Sequence, residues 1–173
     1  MDEHFAVARA VTYAALFIGL LFIYLPGRLL TWSGVVRPEA NGGPQSTGMI
    51  VGGIGTVIAL WCIFAFVFVG KGTPAPIDPP RRLVVRGPYR FVRNPMYIGA
   101  RLALVGLAIF YESILVALYA GLFLLAAHIF VVAYEEPTLR QTFGQEYDGY
   151  FVRVRRWWPA GDHRSLNAGA LKR

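Results

Sequence analysis

Residues 97–134 read YIGARLALVGLAIFYESILVALYAGLFLLAAHIFVVAY, an apolar run that is interrupted near its middle by Glu112-Ser113. A single helix of this length, rising about 1.5 Å per residue, would be nearly twice as long as the hydrocarbon core of a bilayer is thick. The polar pair therefore predicts a hairpin of two transmembrane helices, over residues 97–111 and 113–134.

Two further stretches are apolar enough to cross a membrane, VARAVTYAALFIGLLFIYL at residues 7–25 and MIVGGIGTVIALWCIFAFVFV at residues 49–69. Acidic residues precede the first stretch, and no small-residue cleavage site follows it. We therefore expect a retained helix that ends at Pro26-Gly27 rather than a cleaved signal peptide. The sequence predicts an all-α, multi-pass membrane protein with four transmembrane helices, which form one domain over residues 1–159.

The polar segments of the sequence predict the loops, the connector, the interfacial helix and the tail of this protein. Residues 26–48 are rich in Pro and Gly and predict an irregular loop, and GTPAPIDPP at residues 72–80 predicts a stiff, extended connector. Residues 137–152 predict an amphipathic helix at the membrane interface, weakened by two glycines. Residues 160–173 are polar, and we expect them to be disordered. The aromatic side chains that would share one side of the interfacial helix are Phe143, Tyr147, Tyr150 and Phe151.

Basic residues are distributed unevenly in a chain whose net charge is +7. Only three of the seventeen Lys and Arg residues precede residue 70. Cytoplasmic loops of membrane proteins collect Lys and Arg, so this bias predicts that the 71–96 loop and both termini are cytoplasmic. Because membrane topology explains the positive charge, the charge does not indicate a nucleic-acid partner. Six basic residues lie in that loop: Lys71, Arg81, Arg82, Arg86, Arg90 and Arg93.

Small residues in the second predicted span have two interpretations. Gly48, Gly52 and Gly55 would allow another helix to approach closely, either within the chain or in a dimer. Cys62 is the one cysteine in the sequence, which excludes an intrachain disulfide, and we expect it to be buried as a small apolar side chain. The oligomeric state is left open.

The stretch RGPYRFVRNPMYIG at residues 86–99 predicts a binding site for an anion. Asn is favoured as a helix N-cap and Pro at the first helical position, so Asn94-Pro95 predicts the start of the third span. A helix N-terminus carries partial positive charge, and Arg93 directly precedes it. Tyr97 and Arg101 are four residues apart and share one face of the helix.

Glu135-Glu136-Pro137 predicts the opposite wall of the same site. The two acids directly follow the fourth predicted span, where ionisable groups are costly and tend to be functional. Helical spacing places His128 on the face of Glu135, about two turns deeper. Single residues of both walls also have ordinary structural explanations, as caps, anchors or topology signals. No ligand spacing suggests a metal site.

GPYRFVRNPMYIG and EEPTLRQTFGQEYDGYFVRVRRWWP, separated by a helical hairpin, resemble the isoprenylcysteine carboxyl methyltransferase and phospholipid methyltransferase superfamily of integral membrane enzymes. The resemblance covers about residues 81–159. It implies that S-adenosylmethionine is the methyl donor and that Glu135 and Glu136 line its site. The family's Arg-His-Pro-x-Tyr motif matches residues 93–97, with Asn94 in the place of the histidine.

The resemblance also implies roles for single residues. Arg93, with Asn94 and Pro95 at the helix N-terminus, would bind the cofactor carboxylate, and Glu135 or Glu136 would bind its ammonium group or ribose hydroxyls. Tyr89 or Tyr97 would pack beside its adenine or methionine chain. His128 would be a base for an amine acceptor, and Arg153 or Arg156 would bind an anionic acceptor or headgroup.

The acceptor implied by a site open to lipid is a lipophilic molecule, such as an isoprenylcysteine carboxylate or a phospholipid amine. Two other classes of function are compatible with the sequence. One is an NADPH-dependent steroid or enone reductase, since the C-terminal halves of such membrane enzymes look similar. The other is a non-catalytic membrane scaffold, in which the arginines orient helices and pair with the acids.

Overall fold

The computed structural model describes residue 12 and residues 15–35, 42–65 and 83–159, and the regular structure within these residues is helical, without strands. The all-α prediction is therefore confirmed. The connector at 72–80 and the tail at 160–173 lie outside the described residues. The elements are α1 (Ala15–Trp32), α2 (Gly43–Ala65), a 3-10 turn (Gly87–Arg90), α3 (Pro95–Phe110), α4 (Ile114–Phe130), α5 (Glu136–Phe143) and α6 (Gln145–Arg153).

Three helical segments are long and apolar enough to cross a membrane: α1, α2 and the continuous segment Ile114–Phe143, which contains α4 and α5. Helix α3 is apolar but has 16 residues. At about 1.5 Å per residue it is shorter than a hydrocarbon core of about 30 Å. The structure thus contains three long helices and one short one where the sequence predicts four spans.

Glycines bring α2 and α3 into the closest helix contact of the described chain. A Cβ atom added to Gly48 would lie 2.6 Å from the backbone nitrogen of Phe110, and one added to Gly99 would lie 2.7 Å from that of Ala59. Side chains larger than hydrogen would therefore push the helices apart. The small residues of α2 serve packing within the chain, which is the first of the two interpretations of that pattern.

The turn between α3 and α4 lies where Glu112-Ser113 predicts it. Glu112 has a left-handed backbone, with φ 49°. Gln45 of α2 donates from Nε2 to the Phe110 carbonyl at 3.2 Å and to Oε1 of Glu112 at 3.0 Å. Ser113 caps α4, since its hydroxyl oxygen accepts from the backbone N–H of Val116. Side chains thus satisfy the exposed ends of both helices.

The predicted end of the first span at Pro26-Gly27 is wrong, because α1 continues to Trp32. The helix passes through a π-turn, Leu20–Tyr24, in which the N–H of Leu25 bonds to the carbonyl five residues earlier. Pro26 has no N–H to continue this pattern. The carbonyl of Leu21, five residues before Pro26, instead accepts from the Tyr119 hydroxyl of α4 at 3.0 Å. A neighbouring helix thus supplies the donor that proline lacks.

The sequence predicts one continuous helix over residues 137–152, and this continuity is wrong. The segment is divided between α5 and α6 at Gly144, which has φ 51°. Pro137 does not begin a separate helix, because a second π-turn, Val131–Glu135, joins α4 to α5 without interruption. The aromatic side chains of the segment pack against protein, with Tyr147 and Tyr150 buried in one apolar cluster.

Candidate functional site

Residues 154–157, here called the strap, follow α6 and lie against the start of α3. The backbone N–H of Arg93 donates to the carbonyl of Arg155 at 2.9 Å, and that of Asn94 donates to the carbonyl of Arg156 at 3.3 Å. These bonds join two segments that are far apart in sequence. The strap thus fixes the loop that carries the Arg-Asn-Pro motif.

A buried tyrosine pair reinforces this junction. The Tyr150 hydroxyl of α6 donates to the backbone carbonyl of Tyr89 at 2.7 Å. Burial raises the pKa of both tyrosines above the usual range, so both hydroxyls stay protonated at neutral pH. Tyr89 packs with Cys62 and Val84 in an apolar cluster, which confirms that Cys62 is buried. Tyr89 thus lies in the protein core beside the candidate site.

Asn94 occupies the N-cap position of α3 and Pro95 its first turn, so the predicted helix start is confirmed. The expected side-chain cap is wrong, since the Asn94 side chain makes no capping hydrogen bond. Its Nδ2 instead lies 3.5 Å from the carbonyl of Arg156 and donates to it. The amide is turned toward the strap because this buried position offers an acceptor there.

Glu136 is enclosed by two arginines. Arg156 donates from Nε and Nη2 to the two carboxylate oxygens, each at 2.8 Å. Nη1 of Arg93 lies 3.4 Å from Oε1 of the same carboxylate. The hydrogen bond to Glu136 raises the pKa of Arg156. Arg93, Glu136 and Arg156, here called the charged clasp, tie α5 to the strap and to the start of α3.

Glu135 has different surroundings from its neighbour. Its Oε2 accepts from the Tyr97 hydroxyl of α3 at 3.1 Å. Within the described residues no Lys, Arg or His forms an ion pair with it. Glu135 ends the second π-turn and Glu136 begins α5, and their carboxylates are turned to different partners. Glu135 is therefore a carboxylate with a neutral hydrogen-bond donor, whereas Glu136 is neutralised by cations.

Arg93 has the most unusual environment in the cluster. Its side chain is 8% exposed, and its Cζ lies 3.9 Å above the centre of the Phe151 ring. Its Nε and Nη1 atoms are buried and meet no acceptor in hydrogen-bond geometry among the described residues, although Nη1 takes part in the ion pair with Glu136. Buried polar atoms in proteins are nearly always hydrogen-bonded. The Nε donor, which the ion pair with Glu136 does not engage, is suited to an anionic group that approaches from outside the protein.

The structure brings most of the predicted site residues together, but not all of them. Arg153 is exposed, and its Nε donates to the Gly149 carbonyl of its own helix at 2.9 Å. His128 accepts at Nδ1 from Trp157 of the strap at 3.1 Å. The π-turn between His128 and Glu135 interrupts the regular spacing from which a common face was predicted. The residues joined directly around the clasp are Arg93, Asn94, Pro95, Tyr97, Glu135, Glu136 and Arg156.

Two aromatic residues at the site are absent from the predicted set. Phe151 lies under Arg93, and Trp157 binds His128. Both belong to sequence patterns that predict contact with the membrane, an amphipathic helix and a basic aromatic cluster. In the sequence, both aromatic residues alternate with Arg and Tyr residues, and this alternation is the signal that could have identified them as site residues. Across the described ranges no group of three or more His, Cys, Asp or Glu residues could hold a metal ion.

The described fold is helical and apolar, with the charged clasp at the end of its last hairpin. The sequence pattern of the family described as phospholipid methyltransferase matches residues 44–146. The chain belongs to this family, which confirms the resemblance drawn from its motifs. The matched region contains the Arg-Asn-Pro motif and both glutamates but ends before the strap.

The chain is also 30% identical over 114 residues to the nickel-cobalt-cadmium resistance protein NccN of Alcaligenes xylosoxydans xylosoxydans. The match covers 66% of this chain and 49% of that protein, so the chain spans about half the length of this relative. No solved structure matches the chain.

Proposed function

We propose that this protein is an S-adenosylmethionine-dependent methyltransferase that modifies a lipophilic acceptor at the membrane surface. Membership of a methyltransferase family supports methyl transfer over the reduction and scaffold alternatives. The observation that carries the proposal is the buried Arg93 guanidinium, whose Nε has no acceptor in the described protein and whose Nη1 meets Glu136 only in an ion pair at 3.4 Å. The distribution of Lys and Arg supports a site that faces the cytoplasm.

The charges of the site fit this cofactor. S-adenosylmethionine carries a carboxylate and an ammonium group on its amino-acid end. Nε of Arg93 is a donor for the carboxylate, and the N-terminus of α3 at Asn94-Pro95 adds partial positive charge. Glu135 is an acceptor for the ammonium group or for the ribose hydroxyls, since its hydrogen-bond partner Tyr97 is neutral.

The two glutamates have separate roles in this proposal. Glu136 already accepts two hydrogen bonds from Arg156 and is close to Arg93, so little of its charge is left for a ligand. We assign it a positioning role, in which it holds Arg93 and the strap in place. Arg156 belongs to the same clasp rather than to an acceptor site. Tyr97 orients Glu135.

The chemistry requires binding and orientation more than proton transfer. When bound, S-adenosylmethionine supplies an electrophilic methyl group on a sulfonium sulfur. The chain holds donor and acceptor at attack distance, which is sufficient for a carboxylate acceptor because it needs no base. An amine acceptor must lose a proton, and His128, the predicted base for that class, would have to release the Trp157 indole N–H from its Nδ1 to accept one. Asn94 cannot titrate, so this position supplies hydrogen bonds but no acid or base.

Cofactor binding by variants of the two glutamates tests the assignment. Calorimetry with S-adenosylmethionine on the full chain in detergent should show at least about tenfold weaker binding for Glu135→Gln, because one charge-assisted contact is lost. Glu146→Gln is the matched control, since Glu146 is an exposed glutamate of α6. We expect this control to bind like the parent chain.

Failure of the parent chain to bind S-adenosylmethionine would overturn the proposed function. Unchanged affinity of Glu135→Gln would overturn the role of that residue alone. Incubation of membranes with a radiolabelled methyl donor then identifies the acceptor class. Label in the lipid, protein or small-molecule fraction corresponds to a different acceptor, and label in none of them contradicts methyl transfer.

A further inference from the structure

A groove lies between α1 and α4 at the end of these helices that is remote from Glu135. Its volume is about 220 Å³. It is placed beside the last two turns of α1 and the first turns of α4, whereas Glu135 follows the opposite end of α4. The groove is therefore separate from the candidate methyltransferase site. Its lining is apolar except for one guanidinium and one hydroxyl, and consists of Leu25, Arg28, Leu29, Trp32 and Tyr119.

The walls of the groove are held together by defined contacts. The Tyr119 hydroxyl donates to the carbonyl of Leu21 at 3.0 Å, which fixes α4 against the π-turn of α1. One turn further along, the rings of Phe22 and Phe123 make an edge contact, with their centroids 5.6 Å apart. The Tyr119 hydroxyl proton is thus used inside the protein. Arg28 remains as the charged group of the groove.

Arg28 has no acidic partner within the residues that the structure describes. It lies in a helix long and apolar enough to cross a membrane, and its side chain is exposed. An unpaired cation in such a helix is costly unless it reaches a counter-ion at the membrane interface. Trp32, 83% exposed at the end of α1, is an aromatic side chain of the type that lies at headgroup depth.

We propose that this groove binds an anionic phospholipid of the surrounding leaflet. The lipid phosphate pairs with Arg28, and an acyl chain lies along Leu25, Leu29 and Trp32. Two features select this occupant: the groove joins a single positive charge to an apolar channel, and a phospholipid joins a negatively charged phosphate to an acyl chain. The proposal does not depend on methyl transfer, since none of these residues belongs to the charged clasp.

Native mass spectrometry of the full chain tests the selectivity of the groove. The purified protein is exposed to phosphatidylglycerol and, separately, to phosphatidylcholine. We expect preferential retention of the anionic lipid, a preference reduced at least about fivefold by Arg28→Gln and preserved by Arg28→Lys, because the contact requires positive charge. Equal retention of both lipids, or unchanged preference in Arg28→Gln, would overturn the proposal.

Photocrosslinking tests the location independently of that variant's stability. An anionic lipid with a photoactivatable acyl chain should label the peptide that contains residues 25–32 and the region around Tyr119. Leu29→Trp fills the groove and should abolish this labelling, while Arg101→Gln, which removes an exposed arginine from α3, should leave it unchanged. Labelling confined to other helices, or unaffected by Leu29→Trp, would also overturn the proposal.

Discussion

The two π-turns of this chain have the same construction and different surroundings. In each, the last N–H bonds to the carbonyl five residues earlier, from Leu25 to Leu20 in α1 and from Glu136 to Val131 between α4 and α5. A proline follows directly in both cases. The first turn binds α1 to α4 through the Tyr119 hydroxyl, whereas the second ends in two adjacent carboxylates with separate partners.

This difference shows that one backbone irregularity serves two purposes. In an apolar environment the turn frees a carbonyl, which a neighbouring helix then binds. At the charged end of α4 it changes the direction of the side chains that follow, since a π-turn adds one residue to a helical turn. Glu135 thereby reaches α3, while Glu136 reaches the strap. The surroundings, rather than the turn, determine the outcome.

The largest effect is expected where the second turn meets the clasp. Glu136→Ala removes the carboxylate that neutralises Arg93 and Arg156. Breaking a buried pair by removal of one partner costs about 3–5 kcal/mol, so we expect a loss of unfolding free energy of this order. Denaturant or thermal unfolding in detergent measures it.

The control for this prediction is Glu146→Ala, which removes an exposed carboxylate from α6. It should change stability by less than about 0.5 kcal/mol. Equal stability of Glu136→Ala and the parent chain would contradict a structural role for Glu136. The second π-turn would then present both acids to ligands.

A smaller effect is expected at the first π-turn. Tyr119→Phe removes the donor to the Leu21 carbonyl and leaves that oxygen without its partner from α4. A buried acceptor left unsatisfied costs about 1–3 kcal/mol, and this bond is part-buried, so the same unfolding measurement should show a loss near the lower end of this range. Tyr134→Phe is the control, because Tyr134 is an exposed tyrosine of the same long helix. A loss no larger than that of the control would contradict the tie between α1 and α4.

The smallest change in stability is expected from substitution of Pro26. Pro26→Ala restores a backbone N–H at position 26 and alone should change stability by no more than about 1 kcal/mol. Combined with Tyr119→Phe, it should recover part of the lost stability, because the new N–H can reach the Leu21 carbonyl. A double-mutant cycle measures this coupling.

Pro137→Ala is the matched variant at the second π-turn, and it should show no coupling to Tyr119→Phe. Equal coupling energies in the Pro26 and Pro137 cycles would mean that both π-turns respond alike to the loss of the Tyr119 hydroxyl. Additivity in the Pro26 cycle would mean that Tyr119 does not replace the missing donor.

The fold class and the helix hairpin follow directly from the sequence. Apolar length alone predicts the long helices, and the polar pair Glu112-Ser113 predicts the turn between α3 and α4. The end of α1 does not follow, since Pro26 normally interrupts a helix. Its tolerance depends on Tyr119, which is distant in sequence and contacts α1 only after the helices have packed.

The sequence also identifies the charged residues of the site, but it does not show which role each of them has. The motif around Arg93 and the adjacent glutamates identifies the charged residues that meet at the clasp. Their adjacency suggests a pair, yet neighbours on a helix diverge by roughly 100°, which already argues against a shared ligand. Which glutamate the arginines would neutralise depends on the strap, whose irregular backbone carries no periodic signal.

The strap has a consequence for the order in which this protein is made. Asn94 and Arg156 are separated by 62 residues, so the start of α3 is synthesised well before its partners. A chain that stops before Val154 retains the helices long enough to cross a membrane but lacks the Arg156 carbonyl that holds Asn94 and the Arg156 guanidinium that binds Glu136. We therefore expect membrane insertion and completion of the charged clasp to be separate events during biogenesis, with the strap completing the site.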